Sequence, residues 1–159
     1  MSARESLKQY LSDNGVTFEE HHHSVAYTAQ DVANAEHTPG HIVAKVTIAR
    51  ADGELVMLVL PASKRVDFAK INNILGREVS LATESEFAGV FADCETGAMP
   101  PFGHLYGLTV YVDRALTDDD HIIFNEGTHT DTLKIRYADY ERLEHPVVAD
   151  FTATRTDRV

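Results

Sequence analysis

The residues best suited to chemistry lie between Cys94 and His104, in the run Cys-Glu-Thr-Gly-Ala-Met-Pro-Pro-Phe-Gly-His. Gly97 and Gly103 permit positive φ or close backbone approach. Pro100 and Pro101 fix φ and remove two N–H donors. Met99 and Phe102 are large and apolar, yet they stand between breakers where no regular helix or strand holds them. A rigid loop carrying apolar side chains and bare amides suits a small-ligand pocket. With one cation nearby, it can stabilise an oxyanion or hold an anionic ligand without a protein nucleophile. The same run can equally be a Pro-rich turn folded onto the core. Cys94 could act as a nucleophile with a histidine, but lone cysteines are far more often inert small apolar residues.

Two other groups invite a functional reading. His21-His22-His23 suggests a metal, but neighbours on a strand point to opposite faces, so at most His21 and His23 could share an ion. No carboxylate or cysteine is placed to complete that site, and a polar strand end is the plainer reading. Lys45 sits between Val43 and Thr47, on the face opposite Ile42, Ala44, Val46 and Ile48. Periodicity alone favours a solvated face over a cleft, because lysine heads are rarely buried unpaired. The chain carries no Gly-x-Ser-x-Gly, Walker loop, dinucleotide fingerprint or His-Glu-x-x-His.

Composition bounds these options. The 159 residues fit one domain, and 43% hydrophobic content supplies a core. No apolar run is long enough to span a membrane, and the N-terminus lacks an apolar signal region, so a cytoplasmic location is expected. One cysteine excludes an internal disulfide and a cysteine zinc cluster. A net charge of −11 argues against a general nucleic-acid binder, though not against a local basic patch.

The elements that must position the loop read as follows. Ser2 and Glu5 form a capping box for a helix through Leu7, Tyr10 and Leu11, stopped at Asn14-Gly15. A short strand through Val16 and Phe18 leads to the histidines. Thr28 caps a short helix that His37-Thr38-Pro39-Gly40 breaks, with Tyr27 just ahead as a staple or a pocket wall. Ile42 to Leu60 reads as a β-hairpin turned at Asp52-Gly53. Its second strand, Leu55 to Leu60, is continuously apolar and so central. Phe68, Ile71 and Leu75 mark a helix closed by Gly76, and Val79 to Ala82 a strand. Thr83 to Glu86 is a capping box opening a helix through Phe87 and Val90. Strands are expected over Leu105–Val112, Ile122–Phe124 and, as the last, Leu133–Tyr137, then a helix over Ala138–Leu143. One domain covers 1–150, with a polar tail from 151 to 159. The residues therefore indicate one α+β or α/β domain with a mixed sheet.

The order of features resembles the YbaK/prolyl-tRNA-synthetase-associated editing domain family over roughly residues 20 to 143. The likeness rests on His-Ser-Val-Ala-Tyr-Thr at 23–28, Lys45 in a strand, Val-Leu-Pro-Ala-Ser-Lys-Arg-Val-Asp at 59–67, and Gly-Ala-Met-Pro-Pro-Phe-Gly at 97–103. Its most specific parts are Lys45 and the Gly97-x-x-x-Pro101 signature. The resemblance implies an α+β fold with a mixed, mostly antiparallel, curved and partly barrel-like sheet surrounded by short helices. It implies hydrolysis, in trans, of the ester joining a wrong amino acid to a tRNA 3′ end, with no cofactor and no metal. The implied catalytic residues are Lys45, facing the cleft and holding the terminal adenosine or its phosphate, and Gly97, offering its backbone to the aminoacyl group. Pro101 would rigidify the loop, and a water would attack, helped by the substrate's own ribose hydroxyl. Tyr27, Thr28, Met99, Phe102, Gly103 and His129 complete the implied substrate-binding set. The bulk of Tyr27, Thr28, Met99 and Phe102 suggests a small side chain such as alanine. Contacts to the tRNA fall to Lys64, Arg65, Lys70 and Arg77, or to a partner synthetase. The rival reading is a catalytically silent module that binds a small ligand or a protein in the same cleft.

Overall fold

The computed structural model describes residues 3–23 and 42–154. Tyr27, Thr28, the Thr28-capped helix, the His37–Gly40 break and Ser2 of the first capping box lie outside the described residues, as do residues 155–159.

Helix α1 (Ala3–Asp13) buries Ala3, Leu7 and Leu11, four residues apart on one stripe. Strand β1 (Glu19–His22) follows. Strands β2 (Ala44–Ala51) and β3 (Glu54–Pro61) form the expected hairpin. Asp52 and Gly53 both take positive φ there, 49° and 85°, as a tight primed turn requires. Strand β3 is central: β2 pairs with it antiparallel and β6 (Thr109–Asp113) parallel. Residues Val56 to Pro61 are all buried, which explains the unbroken apolar run.

A five-stranded sheet has the order β5-β2-β3-β6-β9, where β5 is Val79–Leu81 and β9 is Val147–Ala149. A three-stranded sheet has the order β1-β8-β7, with β7 His121–Asn125 and β8 Asp131–Arg136. A bridge between Val43 and Ile123 joins the two. Strand β4 (Lys64–Val66) pairs with β10 (Thr152–Thr154). Five strand pairs are antiparallel and two are parallel. The architecture is thus a mixed α+β domain with mostly antiparallel sheets, and no closed barrel forms among the described residues.

Each face of the five-stranded sheet carries a core. Ile48, Met57, Val59, Val110 and Val112 meet α1, the three-stranded sheet, Phe102 and Tyr140 on one side. Ala49, Ala51, Val56, Leu58 and Leu60 meet Ile71 and Phe151 on the other. Ile71 lies on α2 (Phe68–Leu75), where the Asp67 side chain accepts from the amides of Ala69 and Lys70, and Gly76 closes the end at φ 66°.

Several expectations need correction. The capping box at Thr83 and Glu86 is present, but its helix, α3 (Glu84–Phe87), stops well short of Val90. Gly103–Tyr106 is a 3-10 turn ending at left-handed Gly107, so the strand begins at Thr109 rather than Leu105. Asp113 ends the strand by capping a short helix, α4 (Arg114–Thr117). Tyr137 opens α5 (Tyr137–Glu144) and does not belong to β8. The strand at Leu133 is not the last, and the segment from 151 is not a tail at its start. Phe151 is fully buried and Thr152–Thr154 pairs with β4.

Candidate functional site

The Gly97 loop is built by two turns that hold each other. The Glu95 amide donates to Gly127 O at 2.8 Å, and the Gly127 amide donates to Ala98 O at 2.9 Å. Gly127 allows this through a φ of 106° and the absence of a side chain, since a Cβ there would stand 3.0 Å from the Ala3 Cβ. The turn after Gly127 carries His129, which is 7% exposed. Its amide donates to Glu95 Oε1 at 2.7 Å, and its Nε2 lies 2.7 Å from Thr96 O. A carbonyl only accepts, so Nε2 carries a proton. The ring edge flanks Gly97: a Cβ on that residue would lie 3.5 Å from His129 Cε1. Gly97 is exposed, sits at φ 88°, and its amide points at the Met99 sulfur, 3.3 Å away. A thioether is a weak acceptor, so this amide is easily drawn to a stronger one.

Beneath Gly97 the loop is anchored by apolar packing and two clasps. Phe102 is fully buried, with ring centroids of Tyr140, Phe124 and Tyr10 at 5.3, 5.7 and 6.2 Å, all edge-on. Tyr140 is itself fully buried and donates to Pro101 O at 2.8 Å. Burial pushes its phenol well above the ordinary range. The His104 amide donates to Glu144 Oε1 at 3.0 Å, and the imidazole Nδ1 contacts the same carboxylate.

The structure brings Gly97, Met99, Pro101, Phe102, Gly103 and His129 into one unit. It gives two of them work different from the expected one. Phe102 is a wedge in the core, not an exposed pocket wall. Gly103 is a packing glycine, because a Cβ there would stand 2.5 Å from Val110 Cγ2. Met99 borders a cavity of about 100 Å³ together with Phe87, Phe91, Cys94 and Thr96. Lys45 is half-buried opposite Leu60 in the hairpin register. It therefore shares a strand face with Thr47 and Ala49, whereas Met99 and Phe102 pack with Ile48, Met57 and Val59 of the other face. Lys45 stands two residues from the Val43–Ile123 bridge, at the end of β2.

Cys94 has no nucleophilic character. Burial pushes its thiol up to about 11, and its sulfur lies 3.5 Å from Tyr106 Oη and from Asp93 Oδ1. His22 of the triple histidine contacts Asp131. Of the basic residues, Lys70 reaches Thr152 O at 2.9 Å, and Arg77 reaches Ala51 O at 3.3 Å and Glu54 at 3.7 Å. Arg65 is exposed and Lys64 half-buried on β4. A larger cleft of about 750 Å³, bordered by His121, Arg136, Tyr137 and Arg142, includes none of the loop residues.

Glu95, Tyr140 and Glu126 were not among the expected site residues. Glu95 had one signal, an acid two residues before the glycine signature. The other two had none that separates them from ordinary surface and core positions.

Known proteins decide the family. A family model described as an aminoacyl-tRNA editing domain matches residues 23–143. The chain belongs to the aminoacyl-tRNA editing domain family. It is similar to the multifunctional Ser/Thr-tRNA deacylase ProXp-y of Escherichia coli (strain K12), with 27% identity over 150 residues, 91% of this chain and 89% of that one. Its fold is shared with a crystal structure of a candidate trans-editing enzyme for prolyl tRNA synthetase, at TM-score 0.81 and 20% identity, covering 95% of this chain and 97% of that one. It is also shared with a scaffold protein used for computational grafting of linear epitopes, at TM-score 0.80 and 19% identity, with the same coverage. No described helix is long and apolar enough to cross a membrane.

Proposed function

We propose that this chain, acting in trans in the cytoplasm, hydrolyses the ester of a mischarged tRNA that bears a small amino acid. The observation that carries the reading is Gly97, an exposed left-handed glycine flanked by the His129 ring and held on a rigid apolar base. The aminoacyl carbonyl takes the Gly97 amide in place of the Met99 sulfur, so the developing oxyanion gains a fixed donor. Water attacks the carbonyl carbon, the neighbouring ribose hydroxyl assists, and the tRNA 3′ oxygen leaves with a proton. His129 reads the amino-acid side chain. Lys45, half-buried at the N-terminal end of β2 on the strand face away from Met99 and Phe102, holds the terminal phosphate beyond that strand end rather than the aminoacyl group, and Tyr27 and Thr28, outside the described residues, are the remaining substrate-binding candidates. Lys64 and Arg65 supply phosphate contacts, with a partner synthetase adding what an acidic chain lacks.

The bordering cavity of about 100 Å³ is worth roughly three waters of liquid volume. That size suits alanine, serine or threonine and excludes bulky side chains. The curated relative is named for serine and threonine, so those two esters stand beside alanine as substrates of this chain. The test is release of amino acid from alanyl-, seryl-, threonyl- and cysteinyl-tRNA by the purified protein. Turnover of at least one small-residue ester, with Lys45→Ala slowed by a factor of ten or more, is the expected result. Esters that all stay intact for hours, with tight binding of a non-tRNA small molecule, would instead mark a silent binding module.

A further inference from the structure

The turn that carries His129 is rooted in a buried carboxyl that shares its cation, Arg4, with two other carboxyls. The Glu126 side chain is fully buried. Its Oε1 lies 3.4 Å from Arg4 Nε, while its Oε2 has no donor among the described residues. The same guanidinium holds Glu20, with Nη2 3.2 Å from Oε2, so both carboxyls converge on Arg4. Lys8 Nζ also binds Glu20, at 3.1 and 3.2 Å. The Glu126 amide donates to Asp131 O at 3.2 Å and closes the turn. Asp131 accepts from Thr130 Oγ1 at 3.1 Å, lies 3.6 Å from Arg4 Nε, and contacts His22.

The groups around Glu126 are Arg4 and Lys8 from α1, Glu20 and His22 from β1, Asp131 from β8 and Cys94 beside Gly127. Three carboxyls face two fixed cations, and His22 is 60% exposed. The surplus charge falls on the most deeply buried carboxyl, where an unpaired charge is costly. A proton on Oε2 removes that charge and turns the unpartnered oxygen into a donor toward Glu20.

We propose that Glu20 and Glu126 share one proton, carried on Glu126 Oε2, and that this neutral carboxyl is the positioning residue that holds the 126–131 turn and sets His129 over Gly97. Its catalytic consequence rests on the proposed role of His129. The electrostatics agree. Burial, then the bond and charge of Glu20, push the Glu126 carboxyl up to about 8. Against its own desolvation, Glu20 falls to about 2, because it accepts from Glu126, Lys8 and Arg4.

The sign of the stability effect follows. The folded state holds a proton that the unfolded chain releases near 4.5. Stability is therefore lost as pH rises from about 4.5 to about 8 and is flat beyond. Glu126→Gln keeps a donor and cannot ionise. Three measurements on the full chain test this. Infrared spectroscopy of the wild type at pH 7 shows the carbonyl band of a buried protonated carboxylic acid, absent in Glu126→Gln. The melting temperature of Glu126→Gln gains on wild type by roughly 3 °C per pH unit between pH 5 and 8. The His129 amide resonance shows a step with a midpoint near 8 in wild type that is missing in the variant. A missing band, or a melting difference that is flat across that window, overturns the shared proton. A band with a motionless His129 resonance overturns the positioning role. If all three hold while every mischarged tRNA stays intact, the functional reading fails and the proton pair stands.

Discussion

Gly97 is held from two sides by different physics. From below, residues 98–103 are fixed by close packing: Phe102 among three aromatic rings, and Tyr140 bonded to Pro101 O. From the side, residues 126–131 are fixed by charge: Arg4, Lys8, Glu20, Glu126 and Asp131. Packing of that kind is indifferent to pH, whereas a cluster of carboxyls titrates and its partly exposed pairs, Arg4–Glu20 and Lys8–Glu20, are open to salt. The loop offers the reacting amide from the insensitive side and receives the reading histidine from the tunable one.

Breaking the packed side has the largest effect. Phe102→Ala empties a fully buried ring site and should cost about 3–5 kcal/mol in urea unfolding, with little change between pH 5 and 8. A strong pH dependence of that loss would mean the two sides are not separate. Tyr140→Phe leaves the buried Pro101 carbonyl unpaired and should cost about 1–3 kcal/mol, again without a pH slope. Deacylation should fall in parallel, since the carbonyl is one residue from the wedge. Weakening the charged side is gentler at neutral pH. Raising salt to ~1 M, where the screening length is about 3 Å, should lower the melting temperature of wild type more than that of Glu20→Gln. Equal salt responses would argue that the cluster is inert. The smallest effect belongs to Cys94→Ser. A thiol raised to about 11 is almost wholly protonated at pH 7.5, so deacylation should stay within about twofold of wild type. Loss of activity there would put a nucleophile back in the site.

The parts of the fold legible in the sequence were those written within a few residues. Asp52-Gly53, Gly76 and the Thr83–Glu86 box are all set by neighbours in the chain. Strands β9 and β10, three residues each, carry no alternation to detect, and their partners β6 and β4 lie far off in sequence. The site divides the same way. Gly97 stood out because breakers cluster around it. Phe102 was misread because a large apolar residue between breakers can be a wall or a wedge, and only its neighbours decide. Tyr140 acts on an atom 39 residues away and leaves no local mark. Lys45 showed its alternation in the sequence, but which layer each face meets is a property of the assembled sheet.

The central claim is that an ester is cleaved where His129 flanks Gly97, and single-turnover deacylation of seryl- and alanyl-tRNA by wild type, His129→Ala and Gly97→Val tests it most directly. We predict that Gly97→Val is slowed by about a hundredfold or more and His129→Ala by about tenfold with altered preference between the two esters, while both still fold cooperatively and the valine variant, strained at positive φ, melts below the other. Wild-type rates in both variants would place the chemistry elsewhere on the molecule.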